Sequence, residues 1–395
     1  MEKLLSDSIK SVPASFVGDI LKAAADPSII SFAGGLPHPL SFPKEDLLAS
    51  INKVVNEHGD KVFQYSATQG LPELREFIAD RYNTKYGIDI TADDILITSG
   101  SQQALDIISK SLTNKGDNVI VEEPTYMAAI QIFSQYQPEF TTIELTEEGI
   151  NLEQLKEALK KNPKYMYLIP NFQNPTGLTY SKENRDAVYE LIKGTDVFLI
   201  EDDPYGEIRY KGEPLPYIGM GRHENSIVLG TFSKTATPGM RIGFIICKNK
   251  AFMSALMTAK ECADLHTNIF GQYMLAEYVK SYDYDAHIEK IKALYKQNSE
   301  AMQEAMAKYF PKEVTYTKPD GGMFLWINLP EKVKAMKLAP KAIEKGVIFV
   351  PGDAFYVSTP DGANTARLNY TNASLEKIDE GIKKLAEAIK EVMAE

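Results

Sequence analysis

The segment ILITSGSQQALDIISKSL, residues 95–112, joins a short apolar run to an amphipathic pattern through a few small polar residues. A continuous apolar run is typical of a strand that is buried on both faces. Apolar residues spaced three and four apart then predict a helix over Ser101–Leu112. A buried strand that leads directly into a helix is half of a βαβ unit, so this segment predicts an α/β fold.

The same rhythm continues through the middle of the chain. Further helical patterns cover Tyr126–Gln135 and Ser181–Ile192. More apolar runs lie between these three helical patterns and after the last of them, namely NVIVE at 118–122, YMYLIP at 165–170, VFLIED at 197–202, SIVLG at 226–230 and IGFIIC at 242–247. Strands that alternate with helices predict an open, mostly parallel sheet flanked by helices.

The pattern changes after about residue 285. A long charged helical pattern at 287–309 precedes the strand-like runs MFLWINL, VIFVP and ARLNY, and an amphipathic helix at 375–392 follows them. This order is typical of a smaller α+β domain. We therefore expect three parts: an N-terminal arm and substrate loop (1–50) that packs with the small domain, a large domain (51–285) and a small C-terminal domain (286–395).

Composition excludes several classes of protein. The 395 residues are 44% hydrophobic and 25% charged, which is ordinary for globular chains. The net charge of −11 argues against nucleic-acid binding. The N-terminus lacks the apolar stretch of a signal peptide, and no apolar run is long enough to predict a membrane span. The two cysteines and five histidines lack metal-ligand spacing, so we expect no metal site. Two cysteines do not make a disulfide framework, and we expect a cytoplasmic protein.

Two possible phosphate cradles follow strands of the predicted sheet. Ligands of open α/β sheets bind beyond the carboxyl ends of the strands. Gly100, Ser101 and Gln102 begin a helix there, and its free N–H groups suit an anion, although a simple helix cap is the alternative. Beyond SIVLG, the segment TFSKTATPGMR offers a second cradle, in which Lys234 is surrounded by small residues and hydroxyls, with Thr231, Ser233 and Arg241 as anion donors.

Other strand ends carry an aromatic ring, an amide and a cluster of acids. Tyr126 follows one strand and Asn174 another, with local packing and an Asn-Pro turn as the alternatives. The acids at 201–203 end a third strand, and at most one or two of them face a common site because strand neighbours point to opposite sides. A lysine, an acid and phosphate donors at one sheet edge predict a pyridoxal-phosphate site.

The ordered set of motifs extends over nearly the whole chain. It comprises SFAGGLPHP, YSATQGLPELRE, TSGSQQALD, PNFQNPTG, EDDPYGE, SKTATPGMRIGF, PDGGMFLW and ARLNY. In this order the chain resembles the class I/II, fold-type I aminotransferases that depend on pyridoxal phosphate (PLP). It is most similar to their 2-aminoadipate, kynurenine and multi-substrate aromatic branch. The resemblance implies transfer of an amino group between an L-amino acid and a 2-oxo acid by a ping-pong mechanism.

The resemblance also implies roles for individual residues. Lys234 would bind the cofactor as an imine, Asp202 would pair with the ring nitrogen, and Tyr205 with Asn174 would bind the phenolic oxygen. Tyr126 would stack on the ring. The phosphate would be held by Gly100, Ser101, Gln102, Thr231, Ser233 and Arg241, and Thr231 keeps a hydroxyl where the family commonly has serine.

Substrate and partner contacts are implied in the same way. Arg367 would bind the α-carboxylate of the substrate, together with Asn174 and the loop at Gly35. Tyr65 would reach the phosphate of a neighbouring subunit, which implies a homodimer with composite sites. One substrate pair would be glutamate and 2-oxoglutarate, and the other amino acid would be aromatic, 2-aminoadipate or branched-chain.

Three alternatives remain open from the sequence. The first is another fold-type I PLP enzyme, such as a β-lyase, a decarboxylase or an acyl-transferring synthase. The second is a PLP-binding transcriptional regulator, but its DNA-binding module would precede the substrate loop, which already begins near Ser31. The third is a relative that has lost catalysis, against which the presence of Lys234 and Asp202 argues.

Overall fold

The computed structural model describes residues 4–13, 26, 28–359 and 361–395. In chain order, the helices of these residues are α1 (Asp7–Lys10), α2 (Lys44–His58), α3 (Pro72–Tyr86), α4 (Ser101–Leu112), α5 (Met127–Ser134), α6 (Leu152–Leu159), α7 (Lys182–Ile192), α8 (Lys250–Asp264), α9 (Ile269–Ser281), α10 (Tyr284–Tyr309), α11 (Ala335–Glu344) and α12 (Leu375–Ala394). Within these ranges, none of the helices combines the length and the apolar character that a membrane crossing needs.

The strands form one large sheet and two smaller ones. They are β1 (Ile30–Ser31), β2 (Ile95–Thr98), β3 (Asn118–Glu123), β4 (Glu139–Thr146), β5 (Gly149–Ile150), β6 (Tyr165–Leu168), β7 (Phe198–Asp202), β8 (Ser226–Thr231), β9 (Gly243–Cys247), β10 (Thr315–Tyr316), β11 (Phe324–Asn328), β12 (Val347–Ile348), β13 (Val350–Pro351) and β14 (Thr365–Asn369). The six apolar runs that predicted the large sheet are all strands of it, so that prediction is confirmed.

The large sheet has the order β2-β9-β8-β7-β6-β3-β4-β5. Strands β8, β7, β6, β3 and β4 are parallel to their neighbours in this series, whereas β9 is antiparallel to β2 and β8, and β5 is antiparallel to β4. The predicted mostly parallel α/β sheet is therefore confirmed. Its parallel strands bring their carboxyl ends to one edge, where the side chains after each strand can meet.

Helices cover both faces of this sheet. Ile95 and Ile97 of β2 pack with α3 and α9, whereas Leu96 between them packs on the opposite side with α4 and α8. Alternate side chains of a strand point to opposite faces, so a continuous apolar run is the pattern that two helical layers require. Each fully buried aliphatic side chain stabilises the fold by roughly 1.5–3 kcal/mol relative to an exposed one.

A second sheet of four antiparallel strands has the order β10-β11-β14-β13. It packs with α10, α11 and α12 around a separate apolar core. The N-terminal strand β1 pairs with β12, with Ile30 beside Val347. The N-terminal segment thus contacts the C-terminal part of the chain, as expected for an arm that packs there, while the domain limits at 50 and 285 stay predictions.

Candidate active site

One cavity of about 280 Å³ opens at the carboxyl edge of the large sheet. All of the predicted site residues line it except Gly100 and Tyr65: Gly35, Ser101, Gln102, Tyr126, Asn174, Asp202, Tyr205, Thr231, Ser233, Lys234, Arg241 and Arg367. They come from the ends of different strands and from the second sheet. The topology therefore gathers residues that are up to 332 positions apart, Gly35 and Arg367 being the most distant pair.

Lys234 follows β8, three residues beyond its end. Its amine donates a hydrogen bond to the carbonyl oxygen of Gly35 at 3.0 Å. Burial, and then the positive charges of Arg367 and Arg241, lower the pKa of the Lys234 amine to about 8. A larger fraction of this amine is therefore neutral at neutral pH than for an ordinary lysine, and a neutral amine is the form that attacks a carbonyl group.

The three acids at the end of β7 have different surroundings. Glu201 accepts hydrogen bonds from the backbone N–H groups of Ile218 and Gly219 at 2.6 and 2.9 Å. Asp202 is the acid that lines the cavity: its Oδ2 accepts a hydrogen bond from the Tyr167 hydroxyl at 2.7 Å, while its Oδ1 has no partner although it is buried. A buried, unpartnered carboxylate oxygen is costly, so it indicates a cationic or N–H-bearing ligand.

Asp203 belongs to the protein scaffold. It accepts hydrogen bonds from the Tyr217 hydroxyl at 2.7 Å, the Gly206 N–H at 2.9 Å and the Asn171 amide at 3.1 Å.

The pKa of Asp202, the acid that faces the cavity, is also shifted. Burial raises it to about 7, while the hydrogen bond from Tyr167 lowers it and the charge of Asp203 adds to the rise. The structure therefore separates the acid that faces the cavity from its two neighbours.

Arg367 of β14 lines the cavity from the second sheet. Its guanidinium donates to the Asn174 side-chain oxygen and to the Ala33 carbonyl oxygen, both at 2.8 Å, and its central carbon lies 4.2 Å from the centre of the Phe324 ring. Burial lowers the pKa of Arg367 to about 10, and its buried Nε has no hydrogen-bond partner. Free N–H capacity on a buried guanidinium suits a carboxylate ligand.

The amide of Asn174 connects this wall to the aromatic side chains. Its nitrogen donates to the Tyr205 hydroxyl at 3.4 Å, and burial raises the pKa of Tyr205 above its ordinary value. Tyr126 lies at the start of α5, where burial likewise raises its pKa. At neutral pH both phenols keep their protons and can act as hydrogen-bond donors.

The first turn of α4 lines the cavity with groups that suit an anion. Ser101 and Gln102 lie in this turn, and the free N–H groups and dipole of a helix start attract an anion. Thr231 donates to the Ser233 hydroxyl at 2.9 Å, and Arg241 extends to the carbonyl oxygen of Ser99 at 3.5 Å. The cradle therefore combines hydroxyl, backbone and guanidinium donors, a set that suits a phosphate.

Gly100 contributes space rather than a lining surface. It precedes Ser101 with a φ of 80°, a left-handed conformation that favours glycine. A Cβ at this position would collide with the guanidinium of Arg241. The glycine thus allows the arginine to lie directly against the start of α4.

Tyr65 is outside the cavity. Its side chain is 80% exposed, and its ring lies edge-on to His266 at a centroid distance of 5.9 Å. Within its own subunit, Tyr65 therefore does not line the cavity. Its predicted contact is with the phosphate of a neighbouring subunit.

The sequence did not single out several lining residues, which are Ala33, Gly34, Met127, Ile169, Pro204, Pro238, Phe324 and Val350. Most are apolar and resemble core residues in sequence. Ala33, Gly34, Pro204, Pro238 and Phe324 lie within the quoted motifs, and that position is the signal that could have found them.

The residues present fit pyridoxal phosphate. An amine of lowered pKa, a buried carboxylate with a free oxygen and a phosphate cradle face one another across a single cavity. Enzymes that combine these groups on this fold bind the cofactor through its aldehyde, its ring nitrogen and its phosphate. The fold and the site therefore define a PLP-dependent enzyme of fold type I.

Comparison with known proteins gives the family. Residues 39–385 match the family model described as aminotransferase class I and II, and the chain belongs to this family. It is 43% identical to aromatic-amino-acid aminotransferase 1 of Thermococcus litoralis, over 99% of this chain and 95% of that protein. It is 38% identical to 2-aminoadipate transaminase of Thermus thermophilus, over 97% and 96% of the two chains.

A solved structure supports the same assignment. The crystal structure of Pyrococcus horikoshii kynurenine aminotransferase, in complex with PMP, superposes with a TM-score of 0.94 at 42% identity, covering 99% of this chain and 98% of that one. The protein is thus a PLP-dependent transaminase that acts on amino and oxo acids. The predicted family, cofactor and reaction are confirmed.

Proposed function

We propose that this aminotransferase pairs glutamate and 2-oxoglutarate with an aromatic, 2-aminoadipate or branched-chain amino acid, in two half-reactions of a ping-pong cycle. The names of the relatives support an aromatic or 2-aminoadipate partner. Apolar side chains in the cavity wall, those of Met127, Ile169, Phe324 and Val350, support the aromatic and branched-chain substrates. The acidic side chains of glutamate and 2-aminoadipate are supported by the positive charges that line the same cavity, those of Lys234, Arg241 and Arg367.

The observation that carries the proposal is the placement of Lys234, Asp202 and Arg367 around one cavity. PLP, when bound, accepts electrons from the substrate Cα and carries the amino group between the two half-reactions. Asp202 would hold a negative charge against the cofactor ring, and the first turn of α4 with Arg241 would hold the phosphate. Together these residues would orient the cofactor toward Lys234.

Lys234 is the proposed acid and base of the reaction. Its Nζ takes the proton from the substrate Cα and later returns a proton, which requires a pKa close to the working pH. The lowered pKa of about 8 meets this requirement, whereas an ordinary lysine at 10.5 does not. The Gly35 carbonyl oxygen accepts a hydrogen bond from this amine and keeps it within the cavity.

Arg367 is the proposed receptor of the substrate α-carboxylate. A guanidinium already fixed by Asn174 and Ala33 loses little freedom when it binds a second anion, so it orients the Cα–H bond at low cost. Substrate carboxylate would occupy the Nε that has no partner within the protein.

A panel of amino donors with 2-oxoglutarate tests the substrate proposal. We expect glutamate formation with phenylalanine, tyrosine, kynurenine, 2-aminoadipate or leucine, and little with lysine or arginine, whose cationic ends would meet the positive charges of Lys234, Arg241 and Arg367. Efficient glutamate formation from the cationic donors alone would overturn the proposal. Ammonia and pyruvate from serine or cysteine derivatives would instead favour the β-lyase alternative.

We further propose a homodimer with composite active sites. Phe63 and Tyr65 are 69% and 80% exposed, and Phe63 stacks on Phe270 at a centroid distance of 5.8 Å. An exposed aromatic patch suits a second copy of the chain, and a two-fold pair would make each contact twice. Tyr65 would then reach the phosphate of the partner subunit.

A mixing experiment tests this assembly. Subunits with Lys234→Ala and subunits with Tyr65→Ala are combined under conditions that allow exchange. In a composite heterodimer one site carries both defects and the other carries neither, so activity should rise above that of either parent. If Tyr65 acts within its own subunit, each site carries one defect and mixing restores nothing.

A cytoplasmic location is part of the same proposal. The cysteines Cys247 and Cys262 are both unpaired, which suits a reducing compartment. Fractionation of the source cells with an antibody against the chain would test it.

A further inference from the structure

Glu122 is a buried carboxylate that the reaction described above does not use. It lies at the carboxyl end of β3, is 1% exposed and does not line the cavity. Its Oε1 accepts hydrogen bonds from the Ile169 N–H at 2.8 Å and from the Tyr180 hydroxyl at 2.6 Å. Its Oε2 accepts one from the Gln173 side-chain amide at 2.8 Å. An acid buried at this cost calls for a reason.

The orientation of Gln173 is fixed from both sides. Its Oε1 accepts hydrogen bonds from the N–H and the hydroxyl of Thr176 at 2.9 and 2.8 Å. Because a backbone N–H can only donate, the amide nitrogen of Gln173 must face the other way. There it donates to Glu122 and to the Pro124 carbonyl oxygen, each at 2.8 Å. The N–H groups of Ile169 and Gln173 thus both point at Glu122, and a carboxylate can accept both hydrogen bonds.

Gln173 directly precedes Asn174 in the chain. Asn174 accepts a hydrogen bond from Arg367 at 2.8 Å and donates one to Tyr205 at 3.4 Å. The turn that carries Asn174 is therefore tied to β3 through a single carboxylate. That carboxylate also bonds to both ends of the segment 169–180, at Ile169 and at Tyr180.

We propose that Glu122 is a positioning residue for substrate binding, which holds Gln173 and thereby fixes Asn174 against Arg367. The proposal rests on the roles proposed above for Asn174 and Arg367. Burial raises the pKa of Glu122 to about 7, and the bonds from Tyr180, Gln173 and Ile169 counteract that rise. The donors around it therefore favour the anion that the position needs.

Glu123 provides a matched control. It is the next residue, it is partly exposed, and its bond is to the Thr142 hydroxyl of β4 at 3.1 Å, away from the turn at Asn174. Glu122→Gln and Glu123→Gln make the same chemical change on adjacent residues. Only the first places an amide nitrogen against the amide nitrogen of Gln173.

The test measures KM for an amino acid and the dissociation constant of an unreactive carboxylate, 3-phenylpropionate, on the PLP-loaded enzyme. For Glu122→Gln we expect both constants to rise about tenfold, the effect of losing a hydrogen bond to a charged group, with a smaller change in kcat. Glu123→Gln should leave both constants unchanged. A fall in melting temperature with unchanged constants would reduce Glu122 to a structural role and overturn the proposal.

Exchange of the two side chains supplies a rescue. In the double variant Glu122→Gln with Gln173→Glu, the amide at 122 donates to the carboxylate at 173, which can still accept from Thr176. We expect it to recover part of the lost affinity, because the carboxylate at 173 also faces the Pro124 carbonyl oxygen, to which it cannot donate. A double variant that binds no better than Glu122→Gln would contradict the proposal.

Two further variants keep the outcomes distinct. If Glu122→Gln does not fold, Gln173→Met takes its place, because it removes the donor and leaves Glu122 bonded to Ile169 and Tyr180. It should show the same tenfold rise in KM and in the dissociation constant. Normal values of both constants would refute the inference. Asn174→Ala tests the underlying site. Unchanged binding in that variant would show that the proposed role of Asn174 fails, whereas weak binding there with normal binding in Glu122→Gln would show that only the present inference fails.

Discussion

Replacing Asp202 by asparagine should slow catalysis strongly while leaving the fold intact, whereas the same change at Asp203 should lower stability and leave much of the activity. Asparagine at 202 can still accept the Tyr167 hydroxyl bond through its amide oxygen. It cannot supply a negative charge to the cofactor ring. Since removal of one preorganised electrostatic contact commonly costs about 10²–10³ in kcat, we expect a loss of this size for Asp202→Asn.

Although Asp202→Asn should lower kcat, it should raise the stability of the apo-enzyme at high pH. The pKa of Asp202 rises from 3.8 to about 7 in the fold, mainly through burial. A raised carboxyl pKa means that stability is lost as pH increases between these two values, and each pKa unit is worth about 1.4 kcal/mol. Ionised Asp202 therefore costs roughly 4 kcal/mol above pH 7. Apo Asp202→Asn should melt above the wild type at pH 8 and close to it at pH 4.

Asp203→Asn should lose stability instead. Its carboxylate accepts bonds from Tyr217, Gly206 and Asn171, and an amide nitrogen cannot replace an acceptor. A mismatch at a buried group costs about 1–3 kcal/mol. Because Asp203 does not line the cavity, the folded fraction should keep much of its activity.

Exchange of the substrate Cα proton with deuterium, followed by NMR, measures the first step without product release. Thermal melts of the apo-enzymes at two pH values measure stability. Slow exchange in Asp203→Asn together with near-normal exchange in Asp202→Asn would refute the assignment of the ring-facing acid.

Three other outcomes follow from the site. Covalent capture of PLP by the apo-enzyme should accelerate as pH rises and level off above a midpoint near 8, because only the neutral Lys234 amine reacts; stopped-flow absorbance would reveal a midpoint near 10.5 if neither burial nor the positive neighbours had an effect. Arg367→Lys should raise KM about tenfold or more in steady-state assays, since an ammonium lacks the planar fork that keeps its bonds to Asn174 and Ala33 and still presents N–H groups to a carboxylate, and an unchanged KM would place the substrate carboxylate elsewhere. Gly100→Ala should weaken PLP binding in equilibrium dialysis because its Cβ meets Arg241 and its φ is 80°; affinity equal to the wild type would show that this contact is dispensable.

Much of the fold was predictable because the central strands are buried on both faces and read as continuous apolar runs. Strand β4 was not predicted. It lies near the sheet edge, and its sequence EFTTIELT mixes exposed and buried residues, so it lacks that signal. The long helix α10 was predicted from its charged pattern, and its start at Tyr284 differs from the predicted one by three residues.

The site was predictable in its residues but not in all of its contacts. The sequence alone left the acids at 201–203 open, because the choice depends on partners such as Gly219 and Tyr217 that the chain brings back only in the fold. Glu122 gave no signal for the same reason: its partners lie 47–58 residues further along the chain. The proposed contact of Tyr65 is with a second subunit, so the structure of one chain does not test it.

A single half-reaction tests the central claim most directly. The PLP-loaded enzyme is mixed with excess L-glutamate in the absence of any oxo acid, and 2-oxoglutarate, ammonia and carbon dioxide are measured against the concentration of sites. We expect one equivalent of 2-oxoglutarate per site, no ammonia or carbon dioxide, and no reaction in Lys234→Ala. Continued turnover with release of ammonia or carbon dioxide, or an equal burst from Lys234→Ala, would contradict the account.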